Sequence, residues 1–242
     1  MEFYNELKKK FKYIMSKENF TDENIIIRTK SLTPDEAIGK TKRKDYPILS
    51  GKEIMVEADF RGSKGQAFTS SPCTYSGTIK DILELDLRDN YNKSIFISSM
   101  NAILSYLGLI NGTIHCRDEE PELCGKSFRA HFMENDYIGK NIALIGFQPS
   151  IMDNLREVAN LRVLDLNEDN IGKVKYEILI EDGIKDFDDV MDWADLILCT
   201  GSTILNGSII NFINREEPVI FYGTSIAGAA FLMDLDRLCF YT

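Results

Sequence analysis

Ile142-Ala143-Leu144-Ile145-Gly146-Phe147-Gln148-Pro149 is a short apolar run that stops at a glycine and meets a proline three residues later. Four aliphatic residues in a row, closed by a turn signal, describe a strand buried on both faces. The pattern recurs downstream. Residues 161–166 (Leu-Arg-Val-Leu-Asp-Leu), 195–199 (Asp-Leu-Ile-Leu-Cys) and 218–222 (Pro-Val-Ile-Phe-Tyr) read as further strands. Helices are expected at 149–159, 187–193, 203–214 and 225–233. This alternation predicts an α/β fold whose C-terminal half is a Rossmann-like parallel sheet covered by helices on both faces.

Upstream the rhythm changes. Phe3, Leu7, Phe11 and Ile14 share one face of a helix over residues 2–15. Strands are expected at 25–27 and 53–60, and a turn at 61–65 leads into another strand ending at Thr69. Thr33 and Pro34 have the form of an N-cap and first helical residue. Residues 76–87 read as a helix, with Ser76 and Gly77 near its start. Residues 92–110 are so uniformly apolar that a buried helix ending near Gly108 is expected. The turn signal Asn111-Gly112 and a polar stretch at 115–125 follow. With a further helix starting at Lys126, the boundary is placed so that residues 1–126 and 127–242 form two domains.

Composition narrows the function. The chain has 242 residues, 44% hydrophobic and 27% charged, with a formal net charge of −10. So acidic a surface excludes nucleic acid and anionic membranes as default partners. The basic run Lys40-Thr41-Lys42-Arg43-Lys44 reads as a solvated loop. No apolar window approaches the roughly 20 residues of a membrane span. No apolar leader segment follows Met1, so a cytoplasmic location is expected. Five cysteines, with no Cys-x-x-Cys pair, read as free thiols in a reducing compartment. Cys199, inside an apolar strand, reads as a buried small hydrophobe.

Ligands of open parallel sheets sit beyond the carboxyl ends of the strands. Those ends carry Gly146 and Gln148, then Asp165, then Thr200-Gly201-Ser202-Thr203 with Asn206, then Gly223-Thr224-Ser225. Glycines let a ligand approach the backbone, and hydroxyls and amides supply hydrogen bonds. Any one loop is explained by ordinary strand-ending and helix-capping chemistry, whereas three on one rim predict a polar pocket. Gly65 and Gln66 are a further candidate, although a hairpin turn explains them equally well. NAD(P) is not expected: Phe147 occupies the first turn where a dinucleotide site needs small residues, and Pro149 removes an N–H donor. Residues 115–124 pack one imidazole, two thiols and four carboxylates into ten positions. A structural or solvated role is expected there. Should a transition metal bind, His115 and Cys116 pair a borderline with a soft donor and are its first candidate ligands.

Taken together, several motifs resemble a family of prokaryotic proteins described as heavy-metal chelation domains. They are Gly65-Gln66-Ala67-Phe68-Thr69, Asn101-Ala102, Gly112-Thr113-Ile114-His115-Cys116, Asp118-Glu119-Glu120-Pro121 and Ile145-Gly146-Phe147-Gln148-Pro149. Asp165-Leu166-Asn167, Asp169-Asn170-Ile171-Gly172, Ala194-Asp195-Leu196-Ile197, Thr200-Gly201-Ser202-Thr203, Asn206-Gly207 and Tyr222-Gly223-Thr224-Ser225-Ile226-Ala227-Gly228 complete them. The resemblance implies an N-terminal α+β part similar to the N-terminal domain of enolase, joined to the Rossmann-like half. It also implies a cleft between them that includes His115, Gln148, Asn170, Thr200, Ser202, Asn206 and Thr224. Enolase activity does not follow from that similarity. The leading expectation is binding of a small anionic metabolite or a metal complex. The alternatives are a transferase or lyase using a nucleotide-like cofactor, and a non-catalytic interaction module. Whether any reaction is catalysed, and whether the chain forms a homo-oligomer, stay open at this point.

Overall fold

The computed structural model describes residues 2–18, 20, 26–50 and 53–241. Among them are two β-sheets. The first has four antiparallel strands in the order β3-β2-β1-β4: β1 (Ile26–Leu32), β2 (Ile54–Phe60), β3 (Ser63–Thr69) and β4 (Tyr75–Thr78). The second has seven strands in the order β11-β10-β9-β5-β6-β8-β7. β5 (Asn141–Ile145), β6 (Asn160–Asp165), β8 (Ile178–Asp182), β9 (Leu196–Thr200), β10 (Val219–Tyr222) and β11 (Arg237–Leu238) run parallel. Only β7 (Val174–Lys175), at one edge, is antiparallel to its neighbour β8. The second sheet is thus mixed, with a parallel centre.

Period-two alternation sorts the parallel strands. Ala143 and Ile145 of β5, Ile197 and Cys199 of β9 and Phe221 of β10 enter one large core. Ile142, Leu144, Leu196, Leu198, Ile220 and Tyr222 point to the opposite face. That face is covered by α5 (Glu120–Glu134) and α6 (Pro149–Leu155), through Phe128, Phe132, Ile151, Met152 and Leu155. Burial on both faces is why these strands read as continuous apolar runs.

The large core also takes in the first sheet. The helix α4 (Asn90–Tyr106) packs on β3 and β2 and also touches α8 (Thr203–Asn206) and α9 (Ala227–Met233), so it lies between the sheets. Twelve of its 17 residues are buried, which the apolar stretch at 92–110 anticipates. Gly65 permits its close approach to β3: a Cβ there would lie 2.2 Å from the Ala102 nitrogen and 2.3 Å from the Ser98 carbonyl oxygen. α1 (Glu2–Lys17) buries Phe3, Leu7 and Phe11 as expected, and α2 (Pro34–Ala37) starts with the Thr33 capping box.

Several local expectations fail, each for a stated reason. Ile25 lies outside the described residues, and the strand expected there continues to Leu32. Residues 75–78 pair with β1 as β4, so the helix α3 (Ile79–Glu84) starts only after the Thr78 cap. The helix expected at 203–214 breaks at Gly207, whose φ of +90° is left-handed, and resumes as a 3₁₀ turn at Ser208–Asn211. α5 starts at Glu120 rather than Lys126 and runs through residue 127. Strands β7, β8 and β11 go beyond the sequence-based expectation, because they are short and only half buried. The basic run is exposed at Lys40, Lys42 and Lys44, as a solvated loop requires, but Arg43 departs from it. Arg43 is part-buried and bonds Glu122 at 2.7 Å and Asp153 at 2.5 Å, tying α5 to α6. Among the described residues no helix is long and apolar enough to cross a membrane.

Asn101 joins the layers. Its Nδ2 donates to the carbonyls of Gln66, Thr224 and Ser225 at 3.1, 3.2 and 3.3 Å, and its Oδ1 accepts from Gly228 N at 2.8 Å. Asn101→Asp would set a carboxylate oxygen against those three carbonyl oxygens. It should lower unfolding free energy in urea by about 3 kcal/mol or more. Wild-type stability for this variant would show that the amide carries no weight.

Candidate functional site

β5 comes first in the second sheet by sequence and sits in its middle. The chain moves to β6 on one side and later to β9 on the other. Loops leaving β5 and β9 therefore part in opposite directions and open a crevice at the strand ends. A cavity of about 220 Å³ lies there. Its strand-end wall carries Gly146 and Gln148 after β5, Asp165 and Asn170 after β6, and Gly223, Thr224 and Ser225 after β10. Thr200, Gly201, Ser202, Thr203 and Asn206 complete that wall after β9. Tyr46, Ile48, Glu53, Met55 and Phe68 face them from the N-terminal half, and His115, Cys116, Cys124, Cys239 and Tyr241 close another side.

Of the residues singled out in the sequence, only Gly65 and Gln66 lie away from this cavity. Gly65 serves helix packing. Gln66 is buried, its Nε2 donating to Glu57 at 2.9 Å and its Oε1 accepting from His115 N at 2.7 Å. Both ends of its amide are therefore occupied within the fold.

Much of the strand-end polarity is also engaged internally. Asp165 accepts from the backbone N–H of Phe147 at 2.8 Å and of Asn167 at 2.6 Å, so it holds the loop after β5 onto β6. This directs the Phe147 N–H to a carboxylate of the chain itself. Gln148 caps α6 through Ile151 N, and Asn206 accepts from Ser208 N and its hydroxyl. Asn170 is buried, with Asp165 and Lys175 each at 3.4 Å. Thr200 and Ser202 hydroxyls lie 3.1 Å apart, while Thr203 Oγ1 donates to the Thr200 carbonyl at 2.8 Å. Ser225 Oγ accepts from Phe68 N at 2.9 Å, tying the cavity rim to β3.

The glycines differ from one another. Gly146 and Gly223 have φ of +87° and +91°, which strongly favour glycine. A Cβ on Gly223 would meet nothing within 4 Å. On Gly201 it would lie 2.8 Å from the Ile226 Cβ, so this glycine makes room for the start of α9 rather than for a ligand.

The sequence gives little sign of the other wall. Glu53 is mostly buried and lines the cavity, and no side-chain hydrogen bond to it is found among the described residues. Burial, followed by the Asp165 charge, raises its pKa to about 7. His115 is neutral at neutral pH because burial lowers its pKa, and its Nδ1 lies 2.6 Å from the Cys116 carbonyl oxygen. The Cys116 Sγ lies 3.9 Å from the His115 Nδ1. The Cys124 thiol nearby, with burial, pushes the Cys116 pKa well up, and Cys116 in turn lowers that of Cys124. The early start of α5 is signalled by Glu120-Pro121, a proline in the first turn with acidic neighbours. Cys199 is fully buried as expected. Carboxylates of the 115–124 stretch serve the fold: Asp118 accepts from Lys40 N, and Glu122 from Arg43 and Tyr46.

Fold and cavity define an α/β protein of two sheets with a pocket, largely apolar but bearing polar groups, at the ends of its parallel strands. Residues 131–235 match the model of a family, DUF364, described as "Putative heavy-metal chelation". Two solved structures are similar. One is a protein of unknown function of the DUF364 family from Pyrococcus horikoshii, with 13% identity and a TM-score of 0.56, covering 92% of this chain and 79% of that one. The other, of the same family and also of unknown function, is from Desulfitobacterium hafniense, with 9% identity and a TM-score of 0.51, covering 75% and 72%. At such identities the likeness concerns the fold. No curated protein matches the chain.

The Glu53 carboxyl makes the cavity pH-sensitive. Below its ordinary pKa of 4.5 it is protonated in both folded and unfolded chains and has no effect on stability. Between 4.5 and about 7 the unfolded chain ionises first, so the folded state loses stability as pH rises. Glu53→Gln should remove this slope. Its stability advantage should grow across that window and level off at about 3 kcal/mol, because each tenfold change in proton affinity is worth about 1.4 kcal/mol. Urea unfolding at pH 4, 6 and 8 measures it; a constant difference would contradict the raised pKa.

Proposed function

We propose that the strand-end cavity binds a small metal complex, or a molecule that brings positive charge, in a metal-related binding role. The single observation behind this reading is the charge of the lining. Among the described residues no lysine or arginine lines the cavity, while Glu53 and Asp165 carboxyls and three thiols do. An anion would enter without a countercharge, at a cost only backbone N–H groups and hydroxyls could offset. A cationic group or bound metal would instead meet two acids. Apolar residues such as Met55, Phe68 and Phe147 would cover an organic body, as in most small-molecule pockets. The family description of residues 131–235 supports the metal association.

A second reading, a transferase or lyase with a nucleotide-like cofactor, draws support from the position of the cavity where the strand order reverses. Against it, the Phe147 N–H that a phosphate would seek already donates to Asp165. Native mass spectrometry with elemental analysis separates the two, using protein purified gently without chelators. A metal-containing adduct is expected in wild type and should be lost in Ser202→Phe, which fills the pocket from α8, with cooperative unfolding retained. Equal occupancy in the variant would place the ligand elsewhere, and an adduct with adenine absorbance and no metal would favour the cofactor reading.

A further inference from the structure

Residues 40–50, between α2 and β2, contain no strand or α-helix, only the 3₁₀ turn Pro47–Ser50. The two sides of this segment are held differently. On one side Tyr46 and Ile48 join Leu32, Ile38 and Met55 in a small core, separate from the two larger ones. That core fixes the segment to the four-stranded sheet. Tyr46, Pro47 and Ile48 also line the cavity, so the segment is part of its wall.

The other side meets α5, α6 and the turn between β7 and β8 through side chains. Among the described residues no backbone–backbone hydrogen bond joins residues 40–50 to another part of the chain. Arg43 carries most of the contact. Its Nε donates to both Glu122 oxygens at 2.7 and 2.9 Å, and its Nη2 to Asp153 at 2.5 Å. Its guanidinium lies 5.0 Å from the centre of the Tyr176 ring. Tyr46 donates to Glu122 at 2.8 Å, and Tyr176 to Asp45 at 2.9 Å. Tyr176 reaches this position against its own backbone preference. It and Glu177 connect β7 to β8 with φ of +51° and +65°, in the left-handed region that disfavours residues with a Cβ. Asparagine and glycine would suit such a turn better, but would leave Arg43 without its ring.

The two fastenings part at different cost. Separating the small core exposes apolar surface to water. Separating Arg43 from its partners hands charged groups to water, which solvates them in turn. The polar side is therefore the one that releases.

We propose that residues 40–50 are a strap that closes the cavity, with Arg43 as its latch. Release of Glu122, Asp153 and Tyr176 lets the strap swing away from α5 and α6 and admits solutes. A lysine could neither fork between two carboxylates nor stack on the ring. This device goes beyond the proposed metal-related role and is independent of what the cavity binds.

The thiols of the chain report opening without any ligand. Cys116, Cys124 and Cys239 line the cavity, while Cys73 and Cys199 are buried away from it. Native protein, dialysed against a chelator so that no metal shields sulfur, is alkylated with iodoacetamide and each cysteine is followed by mass spectrometry. Arg43→Ala should speed labelling of the cavity cysteines by about tenfold or more, because the rate follows the population of the open state. Cys73 and Cys199 should stay unlabelled. Lys42→Ala, an exposed position of the same strap, should label as wild type does. Equal rates in wild type and Arg43→Ala overturn the latch, as does an equal acceleration in Lys42→Ala. Should Arg43→Ala label all five cysteines together, its fold is lost and Asp153→Asn decides. Selective acceleration at the cavity cysteines then supports the latch, and wild-type rates overturn it. No bound metal enters this readout, so its failure leaves the proposed function standing.

Discussion

The carboxamide of Asn101 is held among backbone groups of both sheets. It is fully buried on α4, with a β3 carbonyl and the loop between β10 and α9 as its partners. Buried backbone groups need partners, and a loop that turns from a strand into a helix has several to satisfy. One side chain with two donors and an acceptor meets that need on both sides of α4. Close approach is a condition of this arrangement. Gly65 lets β3 lie against the helix, and Gly228 lets α9 come near it: a Cβ on Gly228 would lie 2.8 Å from Asn101 Oδ1. With the hydrogen bond from Phe68 N to Ser225 and the shared core, these contacts hold the first sheet over the strand ends, where it forms one wall of the cavity.

The chemistry of the cavity follows from which groups the fold has already used. Asp165, Gln148 and Asn206 look like ligand residues in a linear reading, yet each satisfies a backbone N–H next to it. What stays free for a visitor, among the described residues, is above all the Glu53 carboxyl. Burial without a basic neighbour in the lining makes the pocket receptive to positive charge. An acidic protein has most of its carboxylates in water or in ion pairs. Glu53 differs in that water is largely excluded from it and no cation of the lining replaces the water.

Legibility follows burial. The central parallel strands are readable because both faces are apolar, so the pattern survives without any knowledge of neighbours. α4 is readable for the same reason. β7, β8 and β11 are not, because strands at or beside the sheet's edges are half exposed and carry mixed residues such as Lys175, Glu181 and Arg237. The broken helix after β9 misleads because apolar spacing continues through Ile209, Ile210 and Phe212 while the backbone turns at Gly207. Strand-end loops are found by a topological rule, which needs only the order of elements. Gly65 and Gln66 mislead because close packing and ligand approach leave the same small and polar residues in a sequence.

Written directly in the order of amino acids are the local features: apolar runs that have to be buried, caps such as Thr33, and strand ends rich in glycine and hydroxyls. Those depend on residues within a turn or two of one another. Three-dimensional packing alone sets which face of α4 meets which sheet, where Glu53 lies, and that Cys116, Cys124 and Cys239 line one cavity. These depend on contacts between residues far apart in the chain, from 35 positions for Gln66 and Asn101 to 127 for Asn101 and Gly228, which only chain folding brings together. The same folding settles whether a polar side chain is available to a ligand or already bonded, because a hydrogen bond to a distant backbone group leaves no mark in the sequence.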